Sequence, residues 1–311
     1  MFTGSQHDAL MAISVTFSLF SFFGVLLIIV SYLTFPKLRT FSFGLVFYMS
    51  CADLGALFSY LLGSPDEGGL CRFQGLIQQY FELSSIIWSA TIAFTLYRAV
   101  VKLQDSASLL KKYLALGYGV PVICAFLPLF TSSYVNTGGW CWISNTQTVG
   151  QVWRWLLFYG PLWSCVGYNA YCYYLTEKAM KNMFANQGAE MPSKYKALIK
   201  RLKLYPLILV ICWFWATVNR LQNAFNPDHE IFWLYVMQSI FRSLQGLLNC
   251  VAYGLQPNVR KCWVEWLSNR PRTSWLVDKL RVDDDVEVDK EEGEESGDGD
   301  SKKPVEADTM L

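Results

Sequence analysis

The sequence predicts an all-α membrane protein, a bundle of seven transmembrane helices followed by a short amphipathic eighth. Three observations carry this. Of 311 residues, 53% are apolar, 16% aromatic and only 16% charged, too apolar for an ordinary soluble chain. Seven stretches reach the roughly 20 mostly apolar residues that a helix needs to span hydrocarbon: 9–34, 41–62, 71–101, 113–135, 151–176, 203–225 and 231–254. Counted as far as Arg272, sixteen Lys and Arg residues fall after the first, third, fifth and seventh stretches, and the opposite loops hold none, Arg72 and Arg154 lying at helix edges. Basic loops stay in the cytosol. The amino terminus is therefore expected outside and the carboxyl terminus inside, with the bilayer itself as a partner.

Taken in order, the amino-terminal segment 1–8 has no basic region. The first span has no charged residue and serves as its own insertion signal. The sixth and seventh spans are joined by a short loop around Asn226–Glu230, as suits antiparallel neighbours. Residues 9–254 thus form the transmembrane domain. In 255–270, the run PNVRKCWVEWL puts Val259, Trp263, Trp266 and Leu267 on one face, the pattern of a helix on the inner leaflet. Cys262 is either a palmitoylation site or an unmodified thiol. In 271–311, thirteen acidic residues between Asp283 and Asp308 predict a disordered tail.

The third span is the most polar. Gln78, Glu82, Ser85 and Ser89 form one stripe at helical spacing, and Ser84, Thr91, Thr95 and Arg98 form another. A helix polar on two sides is enclosed by others, since a charge facing lipid costs about 3 kcal/mol or more. Cys71 at its outer end and Cys141 in the loop NTGGWCWISNT both sit at the external boundary, and no other external cysteine competes. A bridge between them would close that loop over the bundle mouth, the alternative being two free thiols.

Buried charges mark candidate function. Glu82 lies about 16 Å below Cys71, Arg242 about 16 Å below Ile231, and Asp53 about 13 Å below Leu62. The three can meet, either as an internal ion pair or as a ligand site. Arg154 and Arg220 lie shallower and have no evident acidic partner. Arginine excess in an outward cavity suits an anion, because guanidinium grips phosphate or carboxylate with two prongs. The candidate ligand set is Glu82, Arg154, Arg220 and Arg242. The seventh span carries Gln238, Arg242, Gln245, Asn249 and Tyr253 on one face. With Asp53, Gln238 and Gln245 are expected in a buried polar core. The sixth holds Pro206 below Trp213, a candidate pivot, since proline removes a ladder bond. Arg98, Pro206, Trp213, Asn249 and Tyr253 form the candidate coupling and switch set.

Other chemistries find no support. No span carries the deep lysine that a retinal protein needs. His7 and His229 are the only histidines and lie in external segments, so a metallohydrolase site is not expected. No glycine-rich nucleotide loop is present. The expectation is no enzyme, cofactor, metal or nucleic-acid partner.

The segments TFSFGLVFYMSCADL, WSATIAFTLYRAVVK, GGWCW, FYGPLWSCVGYN, YPLILVICWFWATVNR, HEIFWL and NCVAYG resemble the cyclic-AMP-receptor-like (class E) family of G-protein-coupled receptors, and most of all its plant branch. The similarity covers about residues 10–265. It implies a G-protein-coupled receptor fold and a signalling role. In social amoebae such receptors bind extracellular cyclic AMP and drive heterotrimeric G proteins. Arg98 in TLYR and Asn219-Arg220 in TVNR are the polar positions carried over from those motifs. The expected function is a cell-surface receptor in the plasma membrane, sensing cyclic AMP or another small anion and signalling to a Gα subunit. A seven-helix transporter, or a receptor-shaped scaffold without ligand-driven nucleotide exchange, is the alternative.

Overall fold

The structure, a computed structural model, describes residues 3–268 except 67, 138, 187, 189, 190, 227, 228, 255 and 256. The acidic tail expected in 271–311 lies outside these residues, as does the side chain of Tyr253. Helices account for nearly all of the described residues.

Helix α1, Gly4–Thr34, begins in a capping box in which Thr3 and Gln6 exchange side-chain and backbone bonds. It stops where Pro36 starts a 3₁₀ turn. Helix α2, Phe41–Leu61, is capped by the Thr40 hydroxyl, which accepts from Phe43 N at 3.3 Å. Helix α3 spans Gly69–Val101. Helix α4 runs through Leu110–Leu114, a π turn at Ala115–Gly119, and Val120–Phe130. Helix α5 joins Thr148–Arg154, a second π turn at Trp155–Tyr159, and Gly160–Asn186. Helix α6 is Ser193–Phe225. Helix α7 comprises Phe232–Ser243, Gln245–Asn249 and a third π turn at Cys250–Gly254. Helix α8 is Pro257–Ser268. Gly4–Thr34, Phe41–Leu61, Gly69–Val101 and Ala107–Phe130 are long and apolar enough to cross a membrane on those grounds alone.

These irregularities have local causes. In α7 the ladder breaks at Leu244, and Ser21 of α1 fills the gap. Its hydroxyl donates to the Ser243 carbonyl and accepts from Leu247 N at 3.1 Å. In α4 the π turn turns the Gly117 carbonyl toward α3, where Ser84 Oγ donates to it at 2.7 Å. A side chain at Gly117 would meet the Trp88 indole at 2.6 Å, so only glycine permits this approach.

Between α4 and α5 lies a two-stranded hairpin, β1 Tyr134–Asn136 and β2 Cys141–Ile143, with Val135 opposite Trp142. The Cys71–Cys141 disulfide ties it to the start of α3. Trp140, Cys141, Trp142 and Ile143 are all buried, so the hairpin lies within the bundle mouth rather than over it.

Helix α8 packs one face against the end of the bundle. Val259 and Cys262 are buried. Trp263 donates Nε1 to Ser31 Oγ at 2.7 Å and packs edge-on against Phe35 at 5.2 Å. The Cys262 thiol is buried there.

Candidate functional site

Two polar clusters occupy the bundle between the hairpin and the opposite end. The outer one begins with how the hairpin is held. Gln74 of α3 accepts from Cys141 N at 2.8 Å and donates to the Ser59 and Gly63 carbonyls at 2.9 and 2.7 Å. Gln79, just over one turn on, accepts from Trp142 Nε1 at 3.0 Å. Its amide donates to the Leu157 carbonyl at 3.1 Å, within the π turn of α5. Gly75 lies between these glutamines, where a Cβ would sit 2.4 Å from the Tyr134 ring. The α3 surface is therefore shaped to receive the hairpin.

Held this way, the hairpin sends its tryptophans among three arginines. Arg154 donates Nε to the Ile143 carbonyl at 2.6 Å and Nη2 to the same oxygen. Its guanidinium lies 5.0 Å from the Trp142 ring centre, and Arg220 of α6 lies 5.7 Å from that same ring. Arg220 also lies 5.5 Å from Tyr235 of α7, whose ring is 6.2 Å from Trp140. Arg242 is sandwiched between Trp140 at 4.3 Å and Tyr60 of α2 at 4.4 Å. Cations thus alternate with aromatic faces across the bundle, contacts worth about 2 kcal/mol or more each when desolvated.

Hydrogen bonding in this arcade is incomplete. Arg220 Nη2 donates to Gln238 Oε1 at 3.3 Å, and the same oxygen accepts from Asn219 Nδ2 at 2.6 Å. Arg242 Nη1 stands 3.8 Å from Glu82 Oε1, which accepts from Tyr60 Oη at 2.5 Å. Arg220 Nε and Nη1, and Arg242 Nε and Nη2, have no hydrogen-bond partner among the described residues. Each arginine is only 3% exposed, so these donors are cut off from bulk water. Buried donors without acceptors are rare and costly.

The inner cluster surrounds Asp53 of α2. Ser85 Oγ donates to Asp53 Oδ1 at 2.5 Å and Asn249 Nδ2 to Oδ2 at 2.9 Å. Gln245 Nε2 donates to Ser85 Oγ at 3.1 Å, and its Oε1 accepts from Trp213 Nε1 at 2.8 Å. Four helices, α2, α3, α6 and α7, meet in these bonds. Between the clusters is a small cavity of about 10 Å³, room for a single water, lined by Asp53, Tyr60, Glu82, Arg242, Ser243 and Gln245, among others. Phe158, in the α5 π turn, touches both levels, 5.3 Å from Trp142 and 4.8 Å from Trp213.

The predicted residues divide accordingly. Glu82, Arg220, Arg242 and Gln238 meet in the outer cluster, and Asp53, Gln245, Asn249 and Trp213 in the inner one. Arg154 is present but spent on the hairpin backbone. Asp53 bonds to neutral donors rather than to Arg242. Pro206 is half-buried within α6, which is helical from Ser193 to Phe225. Arg98 stands apart near the far end of α3, donating to the Asp105 carbonyl at 3.0 Å and lying 5.9 Å from Phe94. Of its stripe, Thr91 and Thr95 donate to carbonyls of their own helix, at Ile87 and Thr91. Those hydroxyls are taken up locally. Sequence reasoning passed over Tyr60, Gln74, Gln79, Phe158 and Tyr235, which carry no charge and sit in ordinary aromatic or apolar runs. The tryptophans flanking Cys141 were the one available signal for the stacking.

The comparisons agree with this architecture. A profile of the family described as slime mold cyclic AMP receptor matches residues 1–261. G-protein coupled receptor 1 of Arabidopsis thaliana is 32% identical over 271 residues, covering 83% of this chain and 82% of that one. Cyclic AMP receptor-like protein A of Dictyostelium discoideum is 27% identical over 85% of this chain and 69% of its own. G-protein coupled receptor 157 of Mus musculus is 27% identical over 74% and 76% respectively. A seven-helix bundle with a disulfide-tied hairpin and a profile match over most of its length identify this multi-pass membrane protein, a receptor and not an enzyme, as a member of the cyclic AMP receptor family of G-protein-coupled receptors.

Proposed function

We propose that the chain is a plasma-membrane receptor, amino terminus outside and carboxyl terminus in the cytosol. It binds a small extracellular anion beneath the hairpin and signals to the α subunit of a heterotrimeric G protein. The observation that carries this reading is the set of unpaired, buried guanidinium nitrogens on Arg220 and Arg242. An oxyanion supplies the missing acceptors and charge. The orientation rests on the sixteen basic residues that the predicted cytosolic side carries as far as Arg272.

The mechanism is a population shift. An anion among the arginines competes with the stacking of Trp140 and Trp142 and moves the hairpin. Trp142 bears on Phe158 and Phe158 on Trp213, whose indole is bonded into the Asp53 network through Gln245. Displacing Trp213 frees α6 to move at its far end. That opens the region near Arg98 to the carboxyl-terminal helix of a Gα subunit.

The test is guanine-nucleotide exchange on the host's Gα with the reconstituted full chain, with and without cyclic AMP. Faster exchange with the ligand supports the reading. Uptake of a labelled solute without any exchange points to transport, and neither activity points to a scaffold.

A further inference from the structure

The end of the bundle that carries α8 has a surface that neither polar cluster uses. We propose that the acidic segment 283–300 of this same chain docks there, on Lys102, Leu103, Lys111 and Lys112, and so competes with a Gα subunit for the region near Arg98. The docking follows from this surface and that segment alone, whereas the competition rests on the proposed receptor reading.

Helix α3 ends at Val101, and the chain then makes a turn held by two bonds. Gln104 N donates to the Arg98 carbonyl at 3.1 Å, and Arg98 Nη2 donates to the Asp105 carbonyl at 3.0 Å. Within this turn Leu103 adopts a φ of 50°, in the left-handed region that branched side chains rarely enter. Leu103 is 84% exposed, so the turn presents an apolar group to solvent. Lys102 precedes it, and Lys111 and Lys112 lie in the first turn of α4; all three are exposed. The Tyr113 ring lies 6.5 Å from Phe94, which lies 5.9 Å from the Arg98 guanidinium, so α4 begins against the end of α3. Among the described residues these three lysines have no carboxylate partner, whereas Lys37 pairs with Glu265 and Lys181 with Glu177. Asp105, in the same turn, accepts instead from Ala107 N at 3.2 Å. The surface thus offers three unpaired cations around one apolar side chain.

The segment 283–300 matches this surface in sign and in pattern. It holds eleven acidic residues against one lysine, and its run DDDVEVD sets Val286 and Val288 among carboxylates. One stretch therefore supplies carboxylates for the lysines and an apolar group for Leu103. It also starts within reach. Helix α8 packs at this end, where Lys37 bonds Glu265, and Phe41, four residues on, lies 6.4 Å from the Tyr113 ring. Fifteen residues lead from Ser268, the last of α8, to Asp283, and such a length spans at most about 50 Å. Crossing from α8 to α4 takes about three helix diameters, roughly 35 Å. A tethered segment acts at an effective concentration on the order of mM, which a partner in solution has to overcome. Docking therefore keeps the region near Arg98 covered until Gα displaces the segment.

The full chain, one copy per nanodisc, is treated with a carbodiimide, which joins carboxylates directly to amines, and the crosslinked peptides are read by mass spectrometry. In phosphatidylcholine at low salt, crosslinks from 283–300 to Lys102, Lys111 and Lys112 should exceed those to Lys178 and Lys181, which are also exposed, by about fivefold or more. Salt at about 0.5 M should abolish them. Equal crosslinking to all five lysines, or none to the first three, overturns the docking. Crosslinks that form in phosphatidylcholine but vanish when phosphatidylserine is added make lipid headgroups the occupant in an anionic membrane, and overturn it too. Competition is read separately, as Gα binding to the same nanodiscs. Changing the eleven acidic residues of 283–300 to Asn or Gln in the full chain should tighten that binding about tenfold, because a tethered competitor has been removed. Equal affinity of the two chains overturns the competition. If the crosslinks form as expected and neither chain binds Gα, the docking stands and the receptor reading falls.

Discussion

Around Asp53, side chains from four helices bond to one another, each finding a partner within the set. On α3, three residues nearer the disulfide, the setting changes. Arg220 and Arg242 are as deeply buried, yet four of their nitrogens have no acceptor. Burial alone does not separate these clusters, whereas satisfaction does. A closed network stabilises one arrangement of helices, because breaking any bond strands a buried partner at a cost of about 1–3 kcal/mol. An open one sustains its unmet donors through the stacked rings and disulfide-tied hairpin around it. It gains most when something else arrives. The inner cluster is suited to hold a state, and the outer one to read a ligand.

The largest expected effect comes from removing the roof of the outer cluster. Replacing Cys71 and Cys141 by serine releases a tie between residues 70 apart. Loop-closure entropy puts the loss at about 4 kcal/mol. Gln74, Gln79 and Arg154 still hold the hairpin, so the chain should fold with a lower thermal midpoint. Hydrogen exchange should rise across 134–143 and stay slow around Asp53. Equal loss of protection at both would show that the clusters are one cooperative unit.

Phe158→Ala separates the clusters from within. The ring is fully buried between Trp142 and Trp213, and its loss costs about 3–4 kcal/mol. The sharper readout is functional. Ligand binding should survive within a few-fold while ligand-driven nucleotide exchange is lost. Exchange retained in proportion to binding would mean that the signal passes elsewhere.

How much of this was legible in the sequence follows the same division. The seven spans, the Cys71–Cys141 tie and the stripe Gln238–Asn249 were readable because periodicity and burial cost are local properties. The inner cluster was half readable. Asp53, Gln245 and Asn249 are polar residues in apolar runs, and nothing but helix faces was needed to bring them together. The arcade was not readable as such. Its arginines were conspicuous, but their stacking partners Tyr60 and Tyr235 look like any membrane aromatic. The diversion of Arg154 to the Ile143 carbonyl depends on where a hairpin lands. The π turn that sets Phe158 between two tryptophans has no periodic signature either.

A double-mutant cycle tests the pairing of Glu82 with Arg242 in the outer cluster. Glu82 and Arg242 stand 3.8 Å apart, long for a hydrogen-bonded ion pair, and each has other partners in Tyr60 and Trp140. The coupling between Glu82→Gln and Arg242→Gln should therefore be modest, about 1–2 kcal/mol in unfolding free energy. A coupling above about 3 kcal/mol would make the pair a structural clamp and take Arg242 out of ligand recognition. A coupling near zero would leave Arg242 held by its rings alone.

The smallest effect is expected where charge pairs in water. Lys37 Nζ and Glu265 Oε2 lie 3.0 Å apart, but their side chains are 76% and 62% exposed. Solvent and salt screen such a contact, and ordering two long side chains offsets what remains. Helix α8 has a better anchor in Trp263, which bonds Ser31 and packs on Phe35. Lys37→Ala should leave the thermal midpoint unchanged at physiological salt, while Trp263→Ala lowers it. If Lys37→Ala lowers the midpoint as much as Trp263→Ala does, exposed charge matters here as much as buried contact. The contrast between the inner and outer clusters would then need electrostatics of longer range than their hydrogen bonds.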